Sequence, residues 1–196
     1  MRGGPERVGV FGGTFDPVHV GHVAAASEVR QRLELDRMLV VPAGDPWQKG
    51  HDVVASAADR LAMVEAAIEG IDGLHISPLE VDRDAPSVTA DTLEALAAPS
   101  RRLYLVLGAD AVANMHSWRR LEETRHLAAL VVVERAGEHA ESPGPGWQVE
   151  RVPIPRLDVS STDIRDRVAD GRPIDGLVPP AVITVIRSRG LYTRRR

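Results

Sequence analysis

Cysteine is absent from this chain, and long apolar runs are absent as well. Without cysteine there can be no disulfide scaffold, thiolate zinc site, iron–sulfur cluster or cysteine nucleophile. No stretch approaches the roughly 18 consecutive apolar residues of a membrane span, and the N-terminal sequence lacks the apolar core of a signal peptide. We therefore expect a cytoplasmic protein that does not contact membranes.

Basic charge is limited, and lysine occurs once. The 196 residues include 24 basic and 28 acidic side chains, which gives a formal net charge of −4. A weakly acidic chain is a poor candidate for general nucleic-acid binding, which requires a basic face, so we expect no nucleic-acid partner. Lys49 is the single lysine, and every other basic side chain is an arginine.

The rest of the composition is ordinary for a globular protein, with 43% hydrophobic and 27% charged residues. Short apolar runs alternate with helical patterns along the chain. Because strands separated by helices of about 10–15 residues form βαβ units, this alternation predicts a parallel sheet. The predicted fold is α/β, Rossmann-like and doubly wound, with a mainly parallel sheet and helices on both faces. Ligands of such folds bind at the carboxyl ends of the strands.

The apolar patterns give the bounds of each predicted element. We predict a loop over Arg135–Gln148, where glycine and proline recur, and then an edge strand that Pro153 interrupts. The predicted strands are Val8–Phe11, Met38–Val41, a short strand within Leu74–Val81, Leu103–Leu107, Leu130–Val133 and Val149–Ile154. The predicted helices are Val20–Leu33, Ala55–Ile68, Thr89–Ala97, one or two within Ala109–Leu127, Ser160–Ala169 and Pro179–Arg189. The predicted N-caps are Ser56, Ser87 or Thr89, and Ser160 or Ser161.

The strongest local signal is GVFGGTFDPVHVGH, over Gly9–His22. A buried strand enters two glycines and a turn, after which a helix begins. Glycines let the backbone approach a ligand closely, and N–H groups at a helix start favour an anion, so we predict a phosphate site. The sequence matches neither GxxxxGK[ST] nor GxGxxG, so it differs from the Walker loop and the dinucleotide fingerprint.

Two histidines add donors to this loop. His19 precedes the helix and His22 follows about one turn later, with Gly21 leaving room between them. Both can donate an N–H to phosphate oxygens, and a polyphosphate would outweigh the repulsion between a helix N-terminus and an imidazolium. A metal pair is a weaker interpretation, since no third ligand of clear identity is nearby, and we predict no resident metal.

The motif GGTFDPVHVGH resembles the T/HxGH nucleotidyltransferases and, at its full length, the bacterial nicotinate-nucleotide adenylyltransferases. The resemblance implies transfer of AMP from ATP to nicotinate mononucleotide, giving deamido-NAD and pyrophosphate. It also implies direct in-line attack without a covalent intermediate, and Mg²⁺ carried with ATP. The implied ATP contacts in this loop are Gly12, Gly13, Thr14, Phe15, His19 and His22, of which Thr14 also contacts the mononucleotide.

The segment VSSTDIR, over Val159–Arg165, is on its own a helix start in which serine and threonine satisfy free amides. Late in a chain that begins with the first motif, it resembles the family's ISSTxIR element. The resemblance implies that Ser161 and Thr162 hold the β- and γ-phosphates of ATP together with helix-start amides. It implies that Arg165 pairs with the same phosphates, since a planar guanidinium binds phosphate through two donors.

The segment PAGDPWQK, over Pro42–Lys49, lies where the family often has PNxxPPHK. The resemblance places Lys49 on the triphosphate. Trp47 and Gln48 replace a Pro-His pair, so the side-chain contacts of the common form do not carry over. The implied catalytic set, in which we expect positive charge to be concentrated, is His19, His22, Lys49 and Arg165.

The acceptor side of the resemblance rests on two further segments. EVDRDAPSVTADTL, over Glu80–Leu93, resembles ExxRxxPSYTxxTL, with a valine in place of the usual tyrosine. It implies that the backbone of Thr89 receives the nicotinate carboxylate. GAD after a buried strand, followed by Trp118, implies that Asp110 contacts the sugar region and that the indole stacks on the pyridine ring.

Two more ATP contacts are implied, at Gly108 and at Arg135 near adenine, although Ala136 replaces the proline of the family's RPG segment. We expect one nucleotidyltransferase domain over residues 1–196, with the C-terminal helical part, about 156–196, carrying SSTDIR. The family includes dimers and higher forms, so a homo-oligomer is left open.

Three alternatives remain at this point. Pantetheine-phosphate adenylyltransferases also have HxGH and a related SSTxxR, but they are typically shorter, and the GGTFDP form, Trp118 and the PSVT segment argue against them. Nicotinamide mononucleotide is a second acceptor that one sequence does not exclude. The third alternative is a non-catalytic nucleotide sensor, which the intact His19, His22 and Arg165 disfavour.

Overall fold

The computed structural model describes residues 4–46, 53–135 and 141–194. In that part of the chain six strands form one sheet, and every neighbouring pair is parallel. The strands are β1 (Glu6–Gly13), β2 (Arg37–Pro42), β3 (Leu74–Ile76), β4 (Arg101–Gly108), β5 (Ala128–Arg135) and β6 (Val149–Ile154). The helices are α1 (Val20–Arg32), α2 (Ala57–Ile68), α3 (Thr89–Leu96), α4 (Ala109–Ala113), α5 (Leu121–Leu127), α6 (Ser161–Ala169) and α7 (Pro180–Ser188), with a 3₁₀ turn at Met115–Ser117.

The strand order is β3-β2-β1-β4-β5-β6. From β1 the chain builds the sheet towards one edge through β2 and β3, and from β4 it builds towards the other edge. The loops after β1 and β4 therefore leave the middle of the sheet in opposite directions. Such a switch point opens a crevice at the carboxyl ends of the strands, which is where ligands of doubly wound sheets bind.

Both faces of the sheet are covered, as the near-continuous apolar runs of its strands require. Phe11, Tyr104 and Val131 pack with α1, α2, α6 and α7 on one face. Val10 and Leu105 pack with α3, α4 and α5 on the other. The predicted doubly wound architecture is confirmed, and the sheet is parallel throughout the described residues.

The edge strand β6 differs from its prediction. Pro153 does not interrupt it, because the strand continues to Ile154 with the proline opposite Glu134 of β5. An edge strand tolerates a residue without an N–H, since only one of its sides is paired.

The predicted N-caps are confirmed at α2 and α6 and wrong at α3. Ser56 and Ser160 each accept the backbone N–H three residues later, at 3.1 Å. At α3 the N-cap is Val88, without a side-chain cap. The backbone N–H of Ser87 donates instead to the carbonyl of Asp45 at 2.9 Å, which ties the segment before α3 to the loop after β2. Within the described ranges, no helix combines the length and apolar character needed to cross a bilayer.

Candidate active site

The loop between β1 and α1 folds tightly over the end of its strand. A Cβ on Gly13 would lie 2.8 Å from the Cζ atom of Phe15, so any larger residue would require that ring to shift. Phe15 itself has a φ of 52°, in the left-handed region. Its ring meets that of His22 edge-on, with centroids 5.0 Å apart, and so fixes one side of the imidazole.

The other side of His22 is covered by His19. The two imidazoles stack with centroids 3.6 Å apart and an interplanar angle of 21°. The backbone N–H of His19 donates to Nδ1 of His22 at 3.2 Å, which leaves Nε2 of His22 as the nitrogen that can donate to a ligand. A Cβ on Gly21 would lie 3.1 Å from Nδ1 of His19, so the glycine provides the room that the sequence predicts.

His19 is buried, with 7% of its surface exposed. Burial, and to a smaller extent the charge of Arg135, lower the pKa of its imidazole from 6.5 to about 4. Among the described residues, its Nδ1 atom is buried without a hydrogen-bond partner. The side chain is therefore a neutral imidazole at pH 7 whose Nδ1 atom is enclosed by protein.

A second helix begins against the same loop. The Ser161 hydroxyl, at the start of α6, donates to the carbonyl of Pro17 at 2.9 Å, and Arg165 donates through Nη1 to the carbonyl of Asp16 at 2.8 Å. Val159, just before α6, lies so near α1 that its Cγ1 would be 3.2 Å from a Cβ on Gly21. The N-termini of α1 and α6 thus converge, and helix N-termini favour bound anions.

On the opposite face of the sheet, two residues predicted to bind the acceptor share one cluster of packed elements. Thr89 is the first residue of α3, and Trp118 is half-buried against the apolar cluster that contains Leu93 of the same helix. Gly108 ends β4 beside β1, and Asp110 is exposed in the first turn of α4.

Arg120 connects α3 with the turn that follows Trp118. Its guanidinium pairs with Asp91, and through Nη2 it pairs with Glu94 at 2.6 Å. Arg120 has a φ of 57° and is the N-cap residue of α5. These contacts hold the turn after Trp118 against the helix that begins at Thr89.

The structure brings most of the predicted ATP-binding residues to one place. His19, His22, Ser161 and Arg165 surround the first loop, and Thr162 accepts a hydrogen bond from Nη2 of Arg165 at 3.3 Å. Arg135 is exposed at the carboxyl end of β5, and its positive charge helps to lower the pKa of His19. Lys49, Trp47, Gln48 and Ala136 lie outside the described residues.

Sequence reasoning missed a buried arginine that supports this loop. Arg60 of α2 is 1% exposed and donates to the carbonyls of Thr14 at 2.9 Å and Gly44 at 3.0 Å. A signal was available, because Arg60 has helical spacing with the apolar Met63 and Val64. The apolar Leu61, next to it in the sequence, is only half-buried.

Comparison with known proteins shows which family this chain resembles in sequence. Residues 10–167 match the cytidylyltransferase-like family. A probable nicotinate-nucleotide adenylyltransferase of Saccharopolyspora erythraea is 44% identical over 194 residues, which cover 95% of this chain and 90% of that protein. The probable nicotinate-nucleotide adenylyltransferase of Streptomyces coelicolor is also 44% identical, with 93% of this chain and 98% of that protein covered.

Solved structures show the same fold at lower identity. The Plasmodium falciparum nicotinic acid mononucleotide adenylyltransferase complexed with NaAD superposes with a TM-score of 0.81 at 21% identity, covering 95% of this chain and 97% of that one. The same enzyme complexed with APC gives a TM-score of 0.78 at 20% identity, with the same coverage.

Proposed function

Because this chain belongs to the cytidylyltransferase-like family and to the nicotinate-nucleotide adenylyltransferases, we propose that it transfers AMP from ATP to nicotinate mononucleotide. The products are deamido-NAD and pyrophosphate. The observation that carries the proposal is the stacked pair of histidines at the meeting point of two helix N-termini. That arrangement supplies several N–H donors, as a polyphosphate requires.

On this proposal the triphosphate of ATP lies across the first loop. Gly12 and Gly13 let the backbone approach it, and the N-terminus of α6 with Ser161 and Thr162 faces the β- and γ-phosphates. Arg165 is supported in this role because it is already fixed on the backbone of the first loop at 2.8 Å. The remaining proposed ATP contacts are Thr14, Phe15, His19, His22, Lys49, Gly108 and Arg135.

The reaction needs no base. The attacking group is the 5′-phosphate of the mononucleotide, which is already anionic at pH 7. One of its oxygens forms a bond to the α-phosphorus of ATP while the bond to the bridging oxygen breaks, and pyrophosphate leaves with that electron pair. The site therefore acts by positioning two polyanions in line and by stabilising charge on the leaving group, which is how phosphoryl transfer enzymes generally work.

The histidines contribute through their protonation. In the free protein the pKa of His19 is lowered to about 4 by burial and then by Arg135, so the ring starts neutral. An anionic phosphate nearby raises an imidazole pKa, because it stabilises the charged form. We propose that Nε2 of His22 donates to a phosphate oxygen, since its Nδ1 already accepts from the backbone.

Mg²⁺ enters this proposal as part of the substrate. Imidazole, guanidinium, hydroxyl and amide groups surround the loop, and the carboxylate of Asp16 already accepts three hydrogen bonds from protein groups. Mg²⁺ prefers oxygen anions and water. Across residues 4–46, 53–135 and 141–194, no three His, Asp or Glu side chains form a group that could hold a metal ion. The residues present therefore fit an ion held by the phosphates of ATP, whose charge it partly neutralises.

We propose that nicotinate mononucleotide lies between α3 and the turn at Trp118. The backbone N–H of Thr89 receives the carboxylate, the indole of Trp118 stacks on the electron-poor pyridine ring, and Asp110 contacts the sugar. The half-buried indole supports this placement, because it packs against the apolar cluster that contains Leu93 of α3.

The proposal is tested by pyrophosphate release from ATP with nicotinate mononucleotide, nicotinamide mononucleotide and phosphopantetheine in parallel. We expect release with the first acceptor to exceed that with the other two, because only it carries the carboxylate that Thr89 receives. Equal or higher turnover with either other acceptor would overturn the assignment of substrate. No release with any of the three would support a nucleotide sensor instead.

A further inference from the structure

Three polar side chains lie buried directly behind the phosphate loop. Asp16 is 3% exposed, Arg60 is 1% exposed and Tyr192 is 8% exposed. They come from the first loop, from α2 and from the turn after α7, and we call them the buried anchor. Polar groups buried in this way are unfavourable unless they are hydrogen-bonded, so their partners show what the cluster holds in place.

The carboxylate of Asp16 accepts hydrogen bonds from the backbone of another loop and from the C-terminal turn. Oδ2 accepts the N–H of Val54 at 2.7 Å, and Oδ1 accepts the N–H of Ala55 at 3.2 Å. Oδ1 also accepts the hydroxyl of Tyr192 at 2.6 Å. Asp16 stands three residues before His19, so these bonds fix the backbone from which the histidine pair projects.

Arg60 joins three backbone segments with one planar group. Besides the carbonyls of Thr14 and Gly44, its Nε donates to the carbonyl of Ala55 at 3.3 Å. The guanidinium stays charged in proteins, and its fork reaches several acceptors at once where a lysine would supply a single nitrogen. Arg60 therefore fixes the start of the loop, and Asp16 fixes its middle.

The C-terminal turn places the Tyr192 hydroxyl within hydrogen-bond distance of Asp16. Helix α7 ends in a Schellman turn, in which Gly190, with a φ of 61°, donates to the carbonyl of Arg187 at 3.3 Å and Leu191 donates to that of Ile186 at 3.0 Å. The chain reverses there and directs the Tyr192 ring into the core. Burial, and then the bond to Asp16, raise the pKa of the Tyr192 hydroxyl, which keeps it a donor.

We propose that Tyr192 and Arg60 are positioning residues for AMP transfer, which hold the Thr14–His19 backbone so that both histidines meet the reacting phosphates. The inference rests on the proposed function. Neither side chain touches substrate; each acts through Asp16 or the loop carbonyls. A group displaced by a fraction of an ångström loses transition-state stabilisation while substrate binding is largely kept, so the role is expected to affect kcat rather than KM.

The chain offers a matched control, because it contains two tyrosines and both are buried. Tyr104 lies in the middle of β4, opposite Gly9, with the guanidinium carbons of Arg7 and Arg102 at 5.0 Å and 5.4 Å from its ring centroid. Tyr192→Phe and Tyr104→Phe each remove one hydroxyl from a buried ring, but only the first removes a bond to the loop.

We expect Tyr192→Phe to reduce kcat about tenfold, the loss of one charge-assisted hydrogen bond, with KM for both substrates within about twofold of wild type. Amide hydrogen exchange over residues 14–22 and at Val54 and Ala55 should rise in the same variant. Tyr104→Phe should change neither quantity. Arg60→Lys, which keeps the charge and loses the fork, should change both in the direction of Tyr192→Phe.

A Tyr192→Phe variant with kcat within about twofold of wild type, or with exchange no faster than in Tyr104→Phe, would overturn the proposal. A fall in activity matched by loss of folded protein, with normal kcat per folded molecule, would overturn it as well. A wild-type protein inactive with all three acceptors would contradict the proposed function, and the exchange comparison would still decide whether Tyr192 holds the loop.

Discussion

The surroundings of His19 determine the pKa of its imidazole. Burial and then the charge of Arg135 lower its pKa from 6.5 to about 4. We expect the Cε1 proton resonance of His19 to titrate near pH 4 in the free protein and at higher pH once ATP is bound, because the triphosphate stabilises the imidazolium. A free-protein titration near 6.5, measured by NMR, would show that the ring is solvated.

The same shift has a consequence for stability. Between pH 6.5 and 4 the unfolded chain binds a proton at this position that the folded chain does not, so stability falls as the pH falls through that window. His19 should remove about 2 kcal/mol of unfolding free energy between pH 7 and pH 5. Urea unfolding of wild type and His19→Gln at the two pH values isolates this contribution, because the variant should lack it.

Some contacts between single residues could be predicted from the sequence, and others could not. His19, Gly21 and His22 contact one another within three positions of the chain, so their proximity could be predicted from local spacing. The partner of Arg60 in the first loop is 46 residues away, and Asp16 and Tyr192 are separated by 176 residues. Only the folded chain brings such pairs together.

At the scale of elements, the site is made by helix starts. The starts of α1 and α6 meet at the first loop, and the start of α3 carries Thr89. The bounds of these helices were predicted to within one or two residues, since apolar spacing and caps are local signals. The N-cap of α3 was wrong because the bond from Ser87 to Asp45 overrides the local preference, and such long-range contacts leave no mark in the sequence nearby.

The link between α3 and the Trp118 turn can be tested at Arg120. Its contacts with Asp91 and Glu94 hold the two sides of the proposed acceptor site together. We expect Arg120→Met to raise KM for nicotinate mononucleotide about fivefold, because the two sides of the site separate more easily, and to leave KM for ATP within about twofold. Initial-rate kinetics with each substrate varied in turn measure both values.

Arg32→Met is the matched control for this change. Arg32 forms an exposed ion pair with Glu28 on α1 at 3.0 Å, and exposed pairs of this kind contribute little to stability. Its kinetic constants should stay at the wild-type values. Equal changes in KM for ATP and mononucleotide in Arg120→Met would contradict a role confined to the acceptor side.

At the scale of the whole molecule, the sheet order decides where the site can be. The alternation of strands and helices predicted parallel βαβ units, and that prediction is confirmed. The order β3-β2-β1-β4-β5-β6 was not predictable from the strands themselves, because a short apolar run does not say which other strand it pairs with. It is set by the side of the sheet to which each crossover returns, and it places the switch point between β1 and β4.

A polyphosphate held by both the first loop and α6 should stabilise the whole fold. These two segments lie 144 residues apart at the bond from Ser161 to Pro17, so a ligand that bridges them favours the folded state. At a concentration about a hundredfold above Kd, MgATP should raise Tm by about 5–10 °C. Differential scanning fluorimetry measures the shift, and an unchanged Tm at saturating MgATP would show that ATP does not bind this fold.

The most direct test is a single-turnover measurement of AMP transfer, with excess protein over labelled ATP and saturating nicotinate mononucleotide, in wild type and His22→Ala. His126→Ala is the control, since His126 is exposed on α5 just before the amino-terminal end of β5. We expect His22→Ala to retain fold and ATP binding but to form deamido-NAD at least about a hundredfold more slowly, the scale of losing one transition-state donor. The control should match wild type. Transfer by folded His22→Ala at a near-wild-type rate would show that the stacked histidine pair is not where the reaction takes place.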